Sequence, residues 1–150
     1  MRVVIQRVLE AKVTVGSECI GSIGRGLLLF LGVGHDDTKE IADRYIDKII
    51  KLRIFDDANG KTNLALKEVE GEILVVSQFT LYADCKKGNR PAFTDAAGVQ
   101  LATEIYEYTL NRIREIRGNV QSGEFGADMK VSLINDGPFT IILDENLFHH

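Results

Sequence analysis

Hydrophobic and polar positions divide the chain into a series of strands interrupted by two long helices. Residues 3–8 are mostly apolar, apolar and polar residues alternate in 12–15, and apolar residues return briefly at 19–20 and dominate residues 27–33. Alternation is typical of a half-buried strand, whereas a short continuous apolar run is typical of a strand buried on both faces. The N-terminal third therefore predicts a β-meander that ends in a central strand.

Two segments carry the spacing of three and four residues that is typical of an amphipathic helix. The first opens with a capping box at residues 37–40 and extends to about residue 53. The second begins at residue 94 or 95, extends to about residue 117 and stops at Gly118. Each helix has one apolar stripe, which we expect to face the core.

The remaining strands are predicted in the second half of the chain. Residues 73–76 are continuously apolar, residues 120–126 are predicted as a strand interrupted by glycine, and apolar and polar residues alternate in 129–133. Residues 139–143 are predicted as another strand. The Gly-Pro pair between the last two runs predicts a hairpin turn there, because proline fixes one backbone angle and removes a hydrogen-bond donor.

Composition places the chain among single-domain globular proteins. Its 150 residues are 45% hydrophobic and 27% charged, which suits one domain with an ordinary core. No apolar run reaches the roughly 18 residues that a membrane helix needs. The N-terminal residues lack the apolar region of a signal peptide, so we expect a cytoplasmic location.

Cysteine and histidine usage predicts neither a disulfide framework nor a metal site. Cys19 and Cys85 are far apart and neither belongs to a Cys-x-x-Cys motif. Of the three histidines, His149 and His150 stand at the very end of the chain, and only His35 lies within it. We therefore expect no metal and no other cofactor.

The charge distribution limits how the chain could bind a nucleic acid. A net charge of −4 argues against binding along a duplex, which needs many phosphate contacts. A small contact with one RNA end remains open, and the basic residues Lys86, Lys87 and Arg90 gather in one loop that could make it. A second basic group at residues 112–117 is explained by a solvated helix C-terminus.

The strongest indication of a site is the polar stretch that follows the strand at residues 73–76. Ser77, Gln78 and Thr80 arrive together, with the aromatic residues Phe79 and Tyr82 among them. Polar groups at the end of a buried strand are held rigidly where a substrate could meet them. The alternative is that they cap a sheet edge and hydrogen-bond the following loop.

Two motifs resemble the signatures of the D-aminoacyl-tRNA deacylases. Residues 77–81 read Ser-Gln-Phe-Thr-Leu and are followed at 88–93 by Gly-Asn-Arg-Pro-Ala-Phe, and residues 135–140 read Asn-Asp-Gly-Pro-Phe-Thr. The start, Met-Arg-Val-Val-Ile-Gln-Arg-Val, is also similar, so the resemblance covers essentially all 150 residues. We expect one α+β domain over residues 1–150, strand-rich, with mainly antiparallel sheets forming a barrel-like core and two long helices.

The resemblance implies an enzyme that hydrolyses the ester bond of D-aminoacyl-tRNA, and of glycine mischarged onto the tRNA for alanine, as proofreading in translation. It assigns the N–H groups of Gln78 and Phe79 to the oxyanion and lets Thr80 orient water or substrate, while the 2′-hydroxyl of the terminal adenosine assists the water. A Thr80 nucleophile is the alternative, but the sequence places no base at a recognisable spacing from it.

The same resemblance implies where chiral selectivity arises. Ser77 would contact the substrate, and the Gly137-Pro138 bond would be cis, held by Arg7 and projecting from one subunit of a homodimer into the site of the other. An L side chain would then collide with backbone. From the residues alone, the bond is expected to be trans and Arg7 to be an exposed strand residue.

A function from another class remains open at this point. The chain could be a non-catalytic module that binds an RNA end on the same fold, because a fold does not determine a function. A sister group that removes L-alanine carries a changed first motif. This chain has the Ser-Gln-Phe-Thr form at residues 77–80 and is placed with the D-specific enzymes.

Overall fold

The computed structural model describes residues 1–148, which contain eight strands and two α-helices. The expectations for His149 and His150 lie outside these residues. The elements in chain order are β1 (Arg2–Val15), β2 (Glu18–Ile23), β3 (Gly26–Gly32), α1 (Lys39–Lys51), β4 (Phe55–Asp56), β5 (Thr62–Leu64), β6 (Glu72–Ser77), a 3₁₀ turn (Phe79–Tyr82), α2 (Val99–Arg117), β7 (Gln121–Ser122), β8 (Met129–Leu143) and a second 3₁₀ turn (Glu145–Phe148).

The long strand β1 organises the sheet. Its first half pairs antiparallel with β3 and its second half with β2, and the register continues from Val8↔Gly26 to Ala11↔Ile23. Strand β8 also pairs antiparallel with β1 along most of its length. The predicted meander is therefore wrong, because β2 and β3 both pair with β1, and the two predicted strands at 3–8 and 12–15 are one.

The centre of the sheet is parallel. Strand β3 pairs with β6, and β6 pairs with β7, both in parallel. The crossover between β3 and β6 contains α1 and the small β4–β5 hairpin. Because their residues are buried on both faces, β3 and β6 have the continuous apolar runs expected of such strands. The mixed sheet nearly closes into a barrel, which confirms the predicted fold class.

Both helices pack on one apolar face of the sheet. The main core joins them to residues of β1, β3 and β6, and a smaller cluster lies on the opposite face of the same strands. The predicted start of α1 is confirmed, since Thr38 Oγ1 accepts a hydrogen bond from the N–H of Ile41 at 3.2 Å. The predicted start of α2 is wrong, because the helix begins at Val99 after Gly98 and residues 94–95 belong to a turn.

The C-terminal strands also differ from the prediction. Of the expected strand at residues 120–126, only β7 forms. Residues 129–143 are one strand, not two joined by a hairpin, because β1 lies beside the whole of it and accommodates the Gly-Pro pair as an irregularity.

Candidate active site

The polar stretch after β6 forms a 3₁₀ turn at the end of a central strand. We call residues Phe79–Tyr82 the Phe79 turn. The N–H of Gln78 donates to the carbonyl of Leu31 at 2.8 Å, which ties the start of the turn to β3. This N–H is therefore already engaged within the chain, and its assignment as an oxyanion donor stays a prediction.

Two N–H groups of the turn remain available. Within residues 1–148, the N–H groups of Phe79 and Thr80 have no acceptor, because they are the first donors of a short helix. The side chain of Gln78 donates from Nε2 to Thr80 Oγ1 at 2.5 Å, and both side chains are at the surface. The turn thus offers two free backbone donors beside a paired amide and hydroxyl.

A cleft of about 670 Å³ opens beside the turn. Pockets of this size are typical of small-molecule and cofactor sites. The ring of Phe79 is 56% exposed and meets Phe93 edge to face, with centroids 5.0 Å apart. The lining consists of Val76, Ser77, Gln78, Phe79, Phe93, Ala96, Ala97, Gly98, Val99, Ala102, Phe125, Gly126, Ala127, Asp128, Met129 and Val131. Ser77, Gln78 and Phe79 are therefore brought together at one end of a largely apolar cleft.

The sequence did not reveal the far walls of this cleft. The wall from residues 93–99 is held against the end of β3, since Ala97 N–H donates to the Val33 carbonyl at 2.9 Å. His35 contributes as well, donating from Nε2 to the Thr94 carbonyl at 2.5 Å. The other wall comes from residues 125–131. Only tertiary pairing brings these segments to the turn, so no local motif could have identified them.

Asp128 is the only carboxylate among the residues that line the cleft. Its carboxylate accepts a hydrogen bond from Lys130 Nζ at 2.8 Å, and this bond lowers the pKa of Asp128. A carboxyl group with a lowered pKa is a weak base and is ionised at neutral pH. Asp128 is therefore not suited to act as a general acid.

The second motif forms a bulge in β8 opposite a single residue of β1. We call residues 135–139 the Gly-Pro segment. Pairing passes from Gln6↔Thr140 to Val8↔Asn135, so Arg7 alone faces residues 136–139. The Gly137-Pro138 bond is cis, as the resemblance implies, and both residues are exposed. Neither lines the cleft of its own chain.

Arg7 is buried behind the Gly-Pro segment, with only 4% of its surface exposed. Its Nε donates to the Asp136 carbonyl at 3.0 Å and its Nη1 to the Ile54 carbonyl at 2.7 Å. The guanidinium also lies 4.2 Å from the ring centre of Phe139. The alternative that Arg7 is an exposed strand residue is wrong. Its alternation with Val3 and Ile5 already indicated the inner face.

The three predicted tRNA contacts lie in one exposed loop. Lys86, Lys87 and Arg90 are all exposed, and backbone hydrogen bonds between Asp84 and Ala92 close the loop at its base. Nothing in the chain neutralises this group of charges within residues 1–148 by an ion pair. The loop is therefore available for an anionic partner.

Neither a cluster of metal-binding side chains nor a membrane-spanning helix occurs within residues 1–148. Residues 1–148 contain no group of three or more His, Cys, Asp or Glu side chains that could hold a metal ion. No helix among them is long and apolar enough to cross a membrane. Cys19 and Cys85 are both free and exposed.

Comparisons with known proteins agree with the resemblance seen in the motifs. The family model described as D-Tyr-tRNA(Tyr) deacylase matches residues 4–144. A protein of Thermosipho africanus called D-aminoacyl-tRNA deacylase is 54% identical over 96% of this chain and 97% of its own length. Proteins of the same name from Clostridioides difficile and Lactobacillus acidophilus are 52% and 53% identical, over 97% and 96% of this chain and 98% and 99% of their own lengths.

Two solved structures have the same fold. The first, titled c-Myc DNA Unwinding Element Binding Protein, is 41% identical with a TM-score of 0.90 and covers 96% of this chain and 98% of its own. The second, titled as a probable eukaryotic D-amino acid tRNA deacylase, is 20% identical with a TM-score of 0.85 over 95% and 97% of the two chains. At that identity the second structure supports the fold alone.

Proposed function

This chain belongs to the D-Tyr-tRNA(Tyr) deacylase family and is an ester hydrolase, and we propose that its Phe79 turn cleaves D-aminoacyl-tRNA in a site completed by a second subunit. The observation that carries the proposal is the free N–H of Phe79 at the edge of the cleft. Backbone N–H groups that are fixed before reaction stabilise an oxyanion effectively, since they need not reorganise when the charge develops.

The hydrolysis needs few protein groups. Water, assisted by the 2′-hydroxyl of the terminal adenosine, attacks the ester carbonyl, and the resulting oxyanion accepts hydrogen bonds from the Phe79 turn. The bond to the 3′-oxygen then breaks, and that oxygen takes up the proton lost by the water. The free amino acid and the tRNA with a 3′-hydroxyl are the products. The Thr80 hydroxyl accepts a hydrogen bond from Gln78 and has no histidine or lysine as a hydrogen-bond partner within residues 1–148. Thr80 therefore orients water or substrate rather than acting as a nucleophile.

Chiral selectivity is assigned to the Gly-Pro segment of the partner subunit. Backbone carbonyls at Gly137 and Pro138 would face the α-carbon of the substrate, so that an L side chain collides with main-chain atoms while a D side chain or the hydrogen of glycine fits. This arrangement also predicts cleavage of glycine mischarged onto the tRNA for alanine. The burial of Arg7 against Asp136 and Phe139 supports the proposal, because it fixes the segment from behind.

Three features of one chain support a homodimer. Gly137 and Pro138 are exposed but absent from the cleft of their own chain. Strand β8 pairs only with β1 among the described strands, so its second edge is open, and Ile134 and Ile142 on it are 49% and 68% exposed. A twofold contact along this strand would create two equivalent sites.

Mixing two inactive variants tests the shared site. A subunit carrying Phe79→Pro lacks the oxyanion donor, and a subunit carrying Gly137→Val projects a bulky side chain into its partner's site, which blocks the substrate there. Each homodimer is expected to be inactive, whereas random mixing restores about a quarter of wild-type activity through one intact site per mixed dimer. No recovery in a mixture shown to contain mixed dimers would place both elements in one subunit.

The primary experiment compares deacylation of D-tyrosyl-tRNA and L-tyrosyl-tRNA by the wild type and by Thr80→Ala. We expect the D-ester to be cleaved, the L-ester to survive and the variant to keep much of its activity. A trapped acyl-enzyme would instead support a Thr80 nucleophile. Cleavage of neither ester would favour the non-catalytic module that binds an RNA end.

A matched pair of variants isolates the Phe79 N–H. Phe79→Pro removes both the ring and the N–H, whereas Phe79→Ala removes only the ring. Proline fits the first position of a helix, so the turn is expected to form in both. Phe79→Pro should lower kcat by about 10²–10³-fold relative to Phe79→Ala. Equal rates would exclude the N–H as the oxyanion donor.

An enzyme that acts on aminoacyl-tRNA works where translation takes place, and for this reason we propose a cytoplasmic location. The basic loop would contact phosphates near the 3′ end of the tRNA, as its exposed Lys86, Lys87 and Arg90 allow. Removal of D-amino acids from tRNA at this point is a proofreading step in translation.

A further inference from the structure

Arg2 contacts two residues of the Phe79 turn and one residue of the C-terminal 3₁₀ turn. Its Nη1 donates to the Leu81 carbonyl at 3.0 Å, and its guanidinium lies 4.4 Å from the ring centre of Tyr82. Its Nε donates to the Glu145 carboxylate at 3.1 Å. Leu81 and Tyr82 are the last two residues of the turn, so Arg2 connects the first strand and the C-terminal 3₁₀ turn to the segment that carries Phe79.

The turn has few internal restraints of its own. Two backbone hydrogen bonds close it, from Leu81 N–H to the Gln78 carbonyl at 3.3 Å and from Ala83 N–H to the Thr80 carbonyl at 3.1 Å. A 3₁₀ turn has poorer hydrogen-bond geometry than an α-helix and is seldom stable alone. External contacts therefore decide how its peptide groups are oriented. Among the described residues, Arg2 is the charged side chain that donates a hydrogen bond to a carbonyl of the turn.

Contacts to the segment just after β3 also hold this end of the turn. Tyr82 is only 4% exposed and packs so closely on Gly34 that an added Cβ there would lie 2.7 Å from the tyrosine oxygen. Arg2 covers the ring of Tyr82 as a cation over its π face, an arrangement that is favourable where water is partly excluded. The Tyr82 ring thus lies between the sheet and the guanidinium.

Arg2 does not line the cleft and has no place in the reaction described above. We propose that Arg2 is a positioning residue, which orients the Phe79 N–H by holding the Leu81 carbonyl and the Tyr82 ring, with Glu145 fixing Arg2 in turn. This inference rests on the proposed role of the Phe79 turn in hydrolysis. Binding of the tRNA and of the aminoacyl group should be unaffected, since neither the cleft walls nor the basic loop touches Arg2.

The test compares Arg2→Met with a matched arginine variant. Arg44 stacks on Phe148 at 3.6 Å, in the same C-terminal 3₁₀ turn that holds Glu145, but it makes no contact with the Phe79 turn. Arg44→Met therefore reproduces the loss of a cation over an aromatic ring and any loosening of that C-terminal turn. Arg2→Lys serves as a conservative second variant, because a lysine keeps the charge and one donor but not the planar fork.

Two readouts are needed, one of which does not depend on activity. We expect Arg2→Met to lower kcat on D-tyrosyl-tRNA by about 10-fold with KM within about twofold of wild type, because the affected interaction acts in the transition state. Hydrogen exchange of the amides in residues 79–83 should accelerate in the same variant. Arg2→Lys should lie between Arg2→Met and wild type, and Arg44→Met should match wild type in both readouts.

Several results would overturn the inference. One is a kcat of Arg2→Met equal to that of the wild type, and another is a change in KM alone. A third is an equal loss of kcat in Arg44→Met, which would trace the effect to the C-terminal turn as a whole. Unchanged amide exchange in residues 79–83 of Arg2→Met would also overturn it. If Arg2→Met does not fold, the same measurement is made on Arg2→Lys. If the wild type cleaves no D-ester, the proposed function fails instead, and the exchange measurement still decides whether Arg2 holds the turn.

Discussion

The guanidinium of Arg7 holds Asp136 through two separate acceptors, the main-chain carbonyl oxygen at 3.0 Å and carboxylate Oδ2 at 3.2 Å from the same Nε. Asn135 supports the arrangement from the other side, since its Nδ2 donates to the carbonyls of Arg7 and Phe139 at 3.0 and 3.1 Å. Hydrogen bonds therefore fix the residues on both sides of the Gly137-Pro138 pair, although the pair itself lies at the surface.

Replacing Arg7 with methionine should make the Gly-Pro segment less rigid. Arg7→Met leaves the carbonyls of Ile54 and Asp136 without their donor, which costs about 1–3 kcal/mol in the free energy of unfolding. The ratio of D-tyrosyl-tRNA to L-tyrosyl-tRNA deacylation should fall as well. Arg117→Met is the control, because Arg117 also donates to a main-chain carbonyl, that of Gly71, but contacts neither Ile54 nor the Gly-Pro segment. An unchanged ratio in Arg7→Met would separate Arg7 from selectivity.

Neutralising the basic loop should weaken substrate binding without affecting the chemical step. In the double variant Lys86→Ala and Lys87→Ala, we expect a higher KM for aminoacyl-tRNA and an unchanged kcat. The dependence of tRNA affinity on salt should also become shallower, by about one unit of slope for each phosphate that the loop no longer neutralises. Lys51→Ala removes an exposed lysine of α1 and serves as the control. An unchanged salt slope would exclude the loop from tRNA binding.

The close contact between Gly34 and Tyr82 makes a substitution behind the site informative. Gly34→Ala places a Cβ 2.7 Å from the Tyr82 oxygen, so it should destabilise the fold by about 1–3 kcal/mol and lower kcat by displacing the Phe79 turn. Gly98 lines the cleft, and a Cβ added there has nothing within 4 Å. Gly98→Ala should therefore change the free energy of unfolding little. Urea unfolding and kcat are measured on both variants. Equal free energies of unfolding for Gly34→Ala and Gly98→Ala would contradict this expectation.

Buried tyrosines predict a loss of stability in alkaline solution. Burial raises the pKa of Tyr106 to about 12, and burial also raises the pKa of Tyr45 and Tyr82. Unfolded tyrosine titrates near pH 10, so the unfolded state loses protons first and gains stability relative to the fold. The free energy of unfolding should be unaffected by these groups below about pH 9 and fall between about pH 10 and 12.

Urea unfolding at pH 8, 10 and 11 measures this decline. Tyr106→Phe should begin from a lower stability, because it loses the hydrogen bond to the Val75 carbonyl at 3.2 Å, but should decline less steeply with pH. The same slope in Tyr106→Phe and wild type would show that Tyr106 does not contribute to the alkaline loss.

Local signals in the sequence were sufficient where the structure depends on local contacts. The cap at Thr38 is read from neighbouring residues, and the apolar runs of β3 and β6 reflect their burial on both faces. The start of α2 was misplaced because Thr94 and Asp95 are good capping residues, yet the observed cap, Gly98, makes no side-chain hydrogen bond. Residues 94–97 instead hold the cleft wall against β3, a tertiary preference that no local pattern carries.

The same distinction applies to the site. Ser77, Gln78 and Phe79 could be identified because polar residues followed an apolar strand, and the structure brings them to the cleft. The engagement of the Gln78 N–H by Leu31 depends on the parallel pairing of β3 with β6, which joins residues that are far apart in the chain. For the same reason the walls at residues 93–99 and 125–131 were not anticipated.

The contact between Arg2 and Glu145 joins residues 143 positions apart, and β8 pairs with β1 over nearly as long a separation. Contacts of this kind form late in folding, because the entropy of closing a long loop must be overcome before they contribute. A chain that is still being synthesised has β1 and the Phe79 turn outside the ribosome well before Glu145 emerges. We therefore expect a nascent chain to lack esterase activity until its last strand has paired. Deacylation by ribosome-bound chains that carry a C-terminal linker and are stalled with Glu145 either inside or outside the exit tunnel would measure this order of events.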